Sequence, residues 1–349
     1  MQNAAIPPDL QDRMDREKVY LDQAGEYRKI TVMFVDMRGF SHLLVKQNAK
    51  RVVKLLDLYF SILTATVRQH GGIVDKLMGD GMMAVWGLPT GRKDDPYRAA
   101  RAAIDIRLGM FRIIPELVRL GEVPLEIGVG LGTGPALVGF VGPRNRRAYT
   151  LVGNCINRAA RLEAAASDNR IFMDEGTAEE LRTCSYLVYV VKDRLPKALA
   201  EERVFELEGI YEFNPEFESS RRHPRLVVAR VAGITNIKTN ARKPALIKSV
   251  GEGGLGVELH DYQDFQLKVG DETVFDSSDL RVIDLQEVQG KVVRKMELKE
   301  KGIFRVKTWD VGVKFKSIPE DARRNLLRIE TGSRRMRDII QESRDARGR

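Results

Sequence analysis

The sequence predicts an α+β protein: a mixed α/β unit over about 27–212 followed by a small antiparallel β-barrel over about 220–330. Three observations carry this. Helical and strand-like hydrophobic periodicities alternate as far as residue 212; a polar linker, YEFNPEFESS, then interrupts them; beyond it stand short β-rich runs separated by Gly, Asp and Lys turns. At 349 residues the chain is too long for one ordinary domain, and 43% hydrophobic with 31% charged residues supports folded cores rather than a disordered polymer.

Taken in order, residues 1–26 form an N-terminal extension with a packing or dimerising helix from Pro8 to Gln23. Ile30–Val35 is a continuous apolar run, as expected of a strand buried on both faces, and DMRGFS follows as a loop. From Lys50 to His70 apolar residues recur at helical spacing until Gly71-Gly72 stops them. IVDKLM and MMAVWG flank Gly79-Asp80-Gly81, the composition of a hairpin turn. Asp95-Pro96 opens a long helix ending near Pro115. LEIGVGLGTG and PALVGFVG read as a glycine-broken strand pair, YTLVG as a strand, and Asn154–Ala166 as a helix. Thr177 with Glu180 has the capping-box pattern, and YLVYVV and ERVFELEGI close the unit. After the linker come RLVVARVAGI, PALIKSV, LGVEL, DLRVIDLQEVQGKVVRKM and GIFRVKTWDVGVKF, then a helix from Pro319 and a basic tail over 331–349.

Lys and Arg number 58 against 49 Asp and Glu, a net charge of +9. The excess is spread along the chain, without the aromatic-interleaved basic stripe or zinc-finger spacing of a nucleic-acid binder, so a solvated surface accounts for it. Cys155 and Cys184 form no disulfide framework, and no apolar run reaches membrane-spanning length. A cytoplasmic protein is expected.

Two carboxylates stand at strand ends: Asp36 after the first strand and Asp80 at the hairpin tip. Such a pair suits Mg²⁺, which takes one or two carboxylates and fills its other positions with phosphate and water; loop capping would use the same residues. Asn157 and Arg161 are four apart on one helix face, a donor pair able to hold a ribose oxygen and neutralise a phosphoryl group, although a polar helix face needs no more explanation. Lys76 and Thr150 are, taken alone, ordinary strand-end residues.

FVDMRGF, GGIVDKLMGDGMMAVWG, GVGLGTGPALVGFVG and AYTLVGNCINRAARLE follow in the order of the class III nucleotidyl cyclase catalytic domain, which residues 27–212 resemble throughout. The resemblance implies a ferredoxin-like βαββαβ core. It makes Asp36 and Asp80, with the Met37 carbonyl, the ligands of two Mg²⁺ or Mn²⁺ ions per active site. It places Lys76 and Thr150 at the purine, Asn157 and Arg161 at the ribose and the transition state, and Lys192 at the triphosphate, with Asp193 replacing the usual following glycine. Lys with Thr resembles the adenylyl cyclases, whereas Glu with Cys marks guanylyl cyclases. The chemistry agrees, since an ammonium meets adenine N1 and a hydroxyl accepts from the N6 amine. The implied reaction turns ATP into 3′,5′-cyclic AMP and pyrophosphate. Sites of this family lie between subunits, so a chain carrying every residue implies a homodimer with two equivalent sites.

RRHPR at 221–225, SVGEGGLGVEL and WDVGVKF resemble a PilZ domain over about 220–330. That family binds cyclic di-GMP through an RxxxR arm and a [DN]xSxxG turn. Arg221 and Arg225 match the arm; Ser249 replaces the Asp or Asn, Gly251 replaces the Ser, and Gly254 matches. The expected partners are therefore ATP, a second copy of the chain, and either cyclic di-GMP or a protein at the barrel, with no nucleic acid. The alternative is a catalytically weak cyclase serving as an interaction or cyclic di-GMP-responsive module.

Overall fold

A computed structural model of the chain describes residues 6–19, 21, 25–46, 48–114, 117, 126–141, 148–182, 185–189, 199, 201–211, 226–251, 253–260, 265–276, 288–298, 308–320, 324 and 326. The chain divides into two compact units: 1–106 with 125–181 and 187–207, and 107–124 with 182–186 and 208–349.

In the first unit α1 (Pro8–Glu17) is shorter than its predicted span, because Lys18 turns left-handed at φ 53°. Leu10 and Met14 bury against Ile30, Val85 and Leu88, and Arg13 donates to the Leu88 and Gly71 carbonyls, so α1 packs on its own unit. Strand β1 (Glu26–Arg38) outruns the predicted six residues and absorbs Asp36, Met37 and Arg38, which were expected in a loop. It is held on both edges, by β3 (Gly81–Trp86) and β4 (Glu126–Val141), and those ladders extend it. The chain turns only at Gly39, at φ +78°, into α2 (Phe40–Lys46). Helix α3 (Ala49–Gln69) starts where the Asn48 side chain accepts from the Arg51 amide. It buries Val52, Leu55, Tyr59, Ile62, Leu63 and Val67. Strand β2 (Ile73–Met78) pairs with β3 through the expected turn, and α4 spans Asp95–Arg112.

β4 is one sixteen-residue strand rather than two. Its glycines do not break it, since β1 pairs with it from Glu126 to Val138. They instead form the floor under α5 (Asn154–Ala165): a Cβ at Gly130 would overlap the Ala159 carbonyl oxygen, and one at Gly132 the Cys155 carbonyl. Strand β5 (Ala148–Val152) pairs with the end of β4, and β6 (Ile171–Asp174) runs parallel to its middle. Helix α6 (Glu175–Leu181) is capped by Asp174, which accepts from the Thr177 amide at 2.8 Å, and not by Thr177, which lies buried inside it. Strands β7 (Ser185–Tyr189) and β8 (Val204–Tyr211) follow. The order β2-β3-β1-β4, with α3 and α4 as crossovers, is the ferredoxin-like βαββαβ arrangement.

The second unit is a six-stranded antiparallel barrel. Its strands are β9 (Leu226–Asn236), β10 (Ala241–Gly251), β11 (Gly254–His260), β12 (Glu272–Asp276), β13 (Val288–Leu298) and β14 (Thr308–Ser317). They run β9-β10-β11-β14-β13-β12, and β12 closes the ring on β9. Strand β12, ETVFD, is too short and too acidic at its ends to be read from the sequence, yet it turns Thr273 and Phe275 into the core. Ile247, Leu255, Val257, Phe275, Val292, Val311 and Val313 fill the interior together with Leu326. Apart from Pro319, Glu320, Arg324 and Leu326, the predicted closing helix lies outside the described residues, as does the linker after Tyr211.

Candidate active site

Strand register brings the two carboxylates together. Asp36 pairs with Gly81, and Asp80 immediately precedes Gly81 in the β2–β3 turn. A Cβ at Gly81 would stand 3.1 Å from Asp36 Oδ1, so glycine leaves that space to the carboxylates. Burial, and then the Asp80 carboxylate, push the Asp36 carboxyl above its usual range. Two like charges in this proximity repel unless a cation lies with them, and a pair of hard oxygen donors is the set a divalent ion takes. The residues therefore fit the expected metals. The Met37 side chain is buried in the core and its residue pairs with Ile127 in the ladder.

Three further residues surround this pair. Arg38, two positions along the same strand face, lies 3.4 Å from Asp36 Oδ2 and 2.7 Å from Glu163 Oε1. Its guanidinium also donates to the Ala166 carbonyl at 2.9 and 2.7 Å and to the Glu163 carbonyl, capping the C-terminus of α5. Burial raises Glu163 to about 7 against the pull of Arg38, and the Asp36 and Asp80 charges add to the rise. The Tyr59 phenol of α3 is buried without a hydrogen-bond partner among the described residues, and burial followed by Asp36 and Asp80 pushes it well up. The sequence gives no sign of Arg38, because the strand period that sets it on the face of Asp36 applies only once β1 extends through it, and Glu163 and Tyr59 carry no signal beyond core or surface helix.

Glu163 gives a pH signature. Its folded pKa lies above the unfolded one, so its contribution to stability is complete below about pH 4.5 and is lost as pH rises through about 7. Glu163→Gln is expected to remove about 3 kcal/mol of this pH dependence in chelator-treated protein, read from urea unfolding at a series of pH values. An unchanged slope between pH 4.5 and 7 would contradict the assignment.

The nucleotide-facing candidates fall in two places. Lys76 on β2 has a half-exposed side chain whose ammonium lies 3.1 Å from Asp75 Oδ2. Thr150 on β5 pairs with Gly139 in β4. Asn157 and Arg161 share the exposed face of α5, where Arg161 meets Glu202 at 2.7 Å, while Cys155, Ala159 and Leu162 line its buried face. The structure thus joins Asp36 with Asp80, and Asn157 with Arg161, but turns the second pair to solvent. The α5 residue that senses the aspartates is Glu163. Lys192 lies outside the described residues. A cleft of about 720 Å³ at the other end of β1, lined by Tyr27, Lys29, Arg92 and Lys93 among others, contains none of these candidates.

In the barrel, Arg221 and Arg225 lie outside the described residues. Ser249 is 9% exposed at a bulge of β10, two residues before Gly251, which pairs with Gly254. A Cβ at Gly254 would overlap the Val313 carbonyl oxygen, so packing alone demands glycine there.

With this geometry in place, comparison with known proteins defines the class. Residues 23–208 match the adenylate and guanylate cyclase catalytic domain, and residues 219–331 match the PilZ domain. The chain belongs to the class III nucleotidyl cyclase family, its catalytic domain followed by a PilZ domain. It is 37% identical over 148 residues to the uncharacterized protein Rv1319c of Mycobacterium tuberculosis, covering 42% of this chain and 26% of that protein. To Rv1320c of the same organism it is 34% identical over 148 residues, covering 42% and 24%. The chain spans about a quarter of the length of these relatives. Among solved structures, the guanylyl cyclase Cya2 is 29% identical with a TM-score of 0.48, covering 56% of this chain and 97% of that one. The adenylyl cyclase CyaB from P. aeruginosa is 26% identical with a TM-score of 0.49, covering 55% and 97%. Among the described residues no helix is long and apolar enough to cross a membrane.

Proposed function

We propose that the protein is an adenylate cyclase, converting ATP to 3′,5′-cyclic AMP and pyrophosphate at two equivalent sites of a homodimer. The observation that carries this reading is the meeting of Asp36 and Asp80 at the end of β1, in a domain of the cyclase family that also holds Lys76 and Thr150. Asp36 and Asp80 would hold Mg²⁺ or Mn²⁺. Such ions, when bound, lower the pKa of the ribose 3′-hydroxyl and neutralise phosphate charge. Lys76 donates to adenine N1 and the Thr150 hydroxyl accepts from the N6 amine. Asn157 orients the ribose so that its 3′-oxygen lies in line with the α-phosphorus, and Arg161 meets the charge that builds as pyrophosphate leaves. The solvent-facing position of Asn157 and Arg161 supports their serving the aspartates of a second subunit. Lys192 is proposed to grip the triphosphate.

Purified protein incubated with ATP or GTP and Mg²⁺ or Mn²⁺, with the products identified, tests the reading: cyclic AMP is expected, and cyclic GMP as the main product would overturn it. Lys76→Glu with Thr150→Cys should lower the ATP-over-GTP ratio of kcat/KM by at least about tenfold, relaxing rather than inverting the preference. An unmoved ratio would remove both residues from base recognition.

The PilZ domain is proposed to act on the cyclase while binding cyclic di-GMP poorly or not at all. Its turn lacks a carboxylate or amide and a hydroxyl, each absent bond to a neutral partner being worth roughly 0.5–1.5 kcal/mol. Gly254 is explained by packing. Calorimetric titration of the full chain with cyclic di-GMP should give no tight binding; a tight isotherm abolished by Arg221→Ala would reverse this conclusion.

A further inference from the structure

The β2 strand carries a bulge whose extra residue has a charged, buried side chain. Register runs Val74↔Ala84 and then Lys76↔Met83, leaving Asp75 without a partner on β3. In a regular strand neighbouring side chains point to opposite faces, so Asp75 and Lys76 would diverge. The bulge re-aims them: the two side chains meet at 3.1 Å, with Asp75 2% exposed and Lys76 50% exposed. Asp75 Oδ2 has no hydrogen bond of ordinary geometry among the described residues, and the Lys76 ammonium is its countercharge.

The same neighbourhood includes Tyr149, which precedes Thr150 on β5. Tyr149 belongs to the hydrophobic cluster that contains Ile73 of β2, and its phenol oxygen is buried without a partner among the described residues. Burial raises this phenol, and the Asp75 carboxylate raises it further, so the two groups lie within each other's field. Burial raises Asp75 itself, and Lys76 opposes the rise. Lys76 and Thr150, the proposed base-reading residues, thus each directly follow a residue with a buried polar side chain, Asp75 and Tyr149.

We propose that Asp75 is a positioning residue for nucleotide selection: an inward-turned carboxylate that fixes the Lys76 ammonium before the purine arrives. This rests on the reading that Lys76 contacts the base. A half-exposed lysine otherwise samples many rotamers, and substrate binding would have to order it; the buried carboxylate has done so already, which tightens binding without adding a contact. Stability gives no reason for a carboxylate here, because an apolar residue of similar volume replaces a desolvated ion without loss in many proteins.

The test uses the full-length protein with ATP and GTP. Asp75→Asn is expected to raise KM for ATP about tenfold, to change kcat far less, and to lower the ATP-over-GTP ratio, with Tm unchanged or raised. Asp75→Glu, which keeps the charge, should recover part of the ratio. In a Lys76→Ala background Asp75→Asn should add nothing. If Lys76→Ala lowers the ratio while Asp75→Asn leaves KM and ratio alone, the positioning role is wrong and base reading by Lys76 stands. If Lys76→Ala leaves the ratio unmoved, base reading fails and the positioning role falls with it. An equal effect of Asp75→Asn with and without Lys76, or a loss of Tm shared by the Asn and Glu variants with unchanged KM in whichever folds, would assign Asp75 to the fold and overturn the proposal.

Discussion

Asp36→Ala and Asp80→Ala are each expected to lose at least about a thousandfold in turnover, the scale of removing an ion that supplies several kcal/mol of transition-state stabilisation. Neither change should unfold the protein. Burial, and then the Asp80 charge, raise the Asp36 carboxyl, so removing either carboxylate takes away a desolvated charge and its repulsion of the other in the metal-free state. The Asp36 variant also frees Arg38, which keeps its bonds to Glu163 and the Ala166 carbonyl and therefore stays anchored. Melting curves with chelator should show Tm equal to or above the parent, while added Mn²⁺ should stabilise the parent and not the variants. A variant with near-normal rates would remove that residue from metal binding. A variant with low Tm would show that the loss of rate has a structural origin.

Mixing the Asp36→Ala and Asn157→Ala proteins should restore activity to about a quarter of the parental value. Each homodimer is dead, since every site collects one lesion. Random exchange makes half of the dimers mixed, and in these one site gathers both lesions while the other is intact. The geometry motivates this: Asn157 and Arg161 face solvent on α5, on a different face from Glu163, which senses the aspartates of its own chain. No recovery after demonstrated subunit exchange would mean that each chain completes its own site. Recovery well above half of the parental rate is incompatible with one intact site per mixed dimer.

Local rules made most of the first unit legible. The helical spacing of Val52 to Val67, the Gly-Asp hairpin turn and the Asp95-Pro96 helix start each depend on neighbours within a few residues, and each appears where the spacing puts it. Motif order identified the family before any coordinates, because the motifs record a whole domain at once. The errors share a cause. The glycines of β4 read as breaks because their reason lies elsewhere in the chain: they make room for the α5 backbone. Asp36 to Arg38 read as loop because the ladders that keep them extended come from β3 and β4. Strand β12 was missed because five residues bounded by acids have no pattern of their own until β9 and β13 flank them.

The sequence by itself determined the family, the order of the elements, and which residues are candidates for metal, base and ribose. Only the tertiary structure decided that Asp36 lies beside Asp80 and is clamped by Arg38 to the end of α5, that Glu163 and Tyr59 surround them, and that a bulge turns Asp75 onto Lys76. Charge and hydrogen-bond partners far apart along the chain are set by strand register and burial, and a one-residue slip in register reverses the face of every side chain beyond it. Periodicity read along a single strand carries no record of that slip.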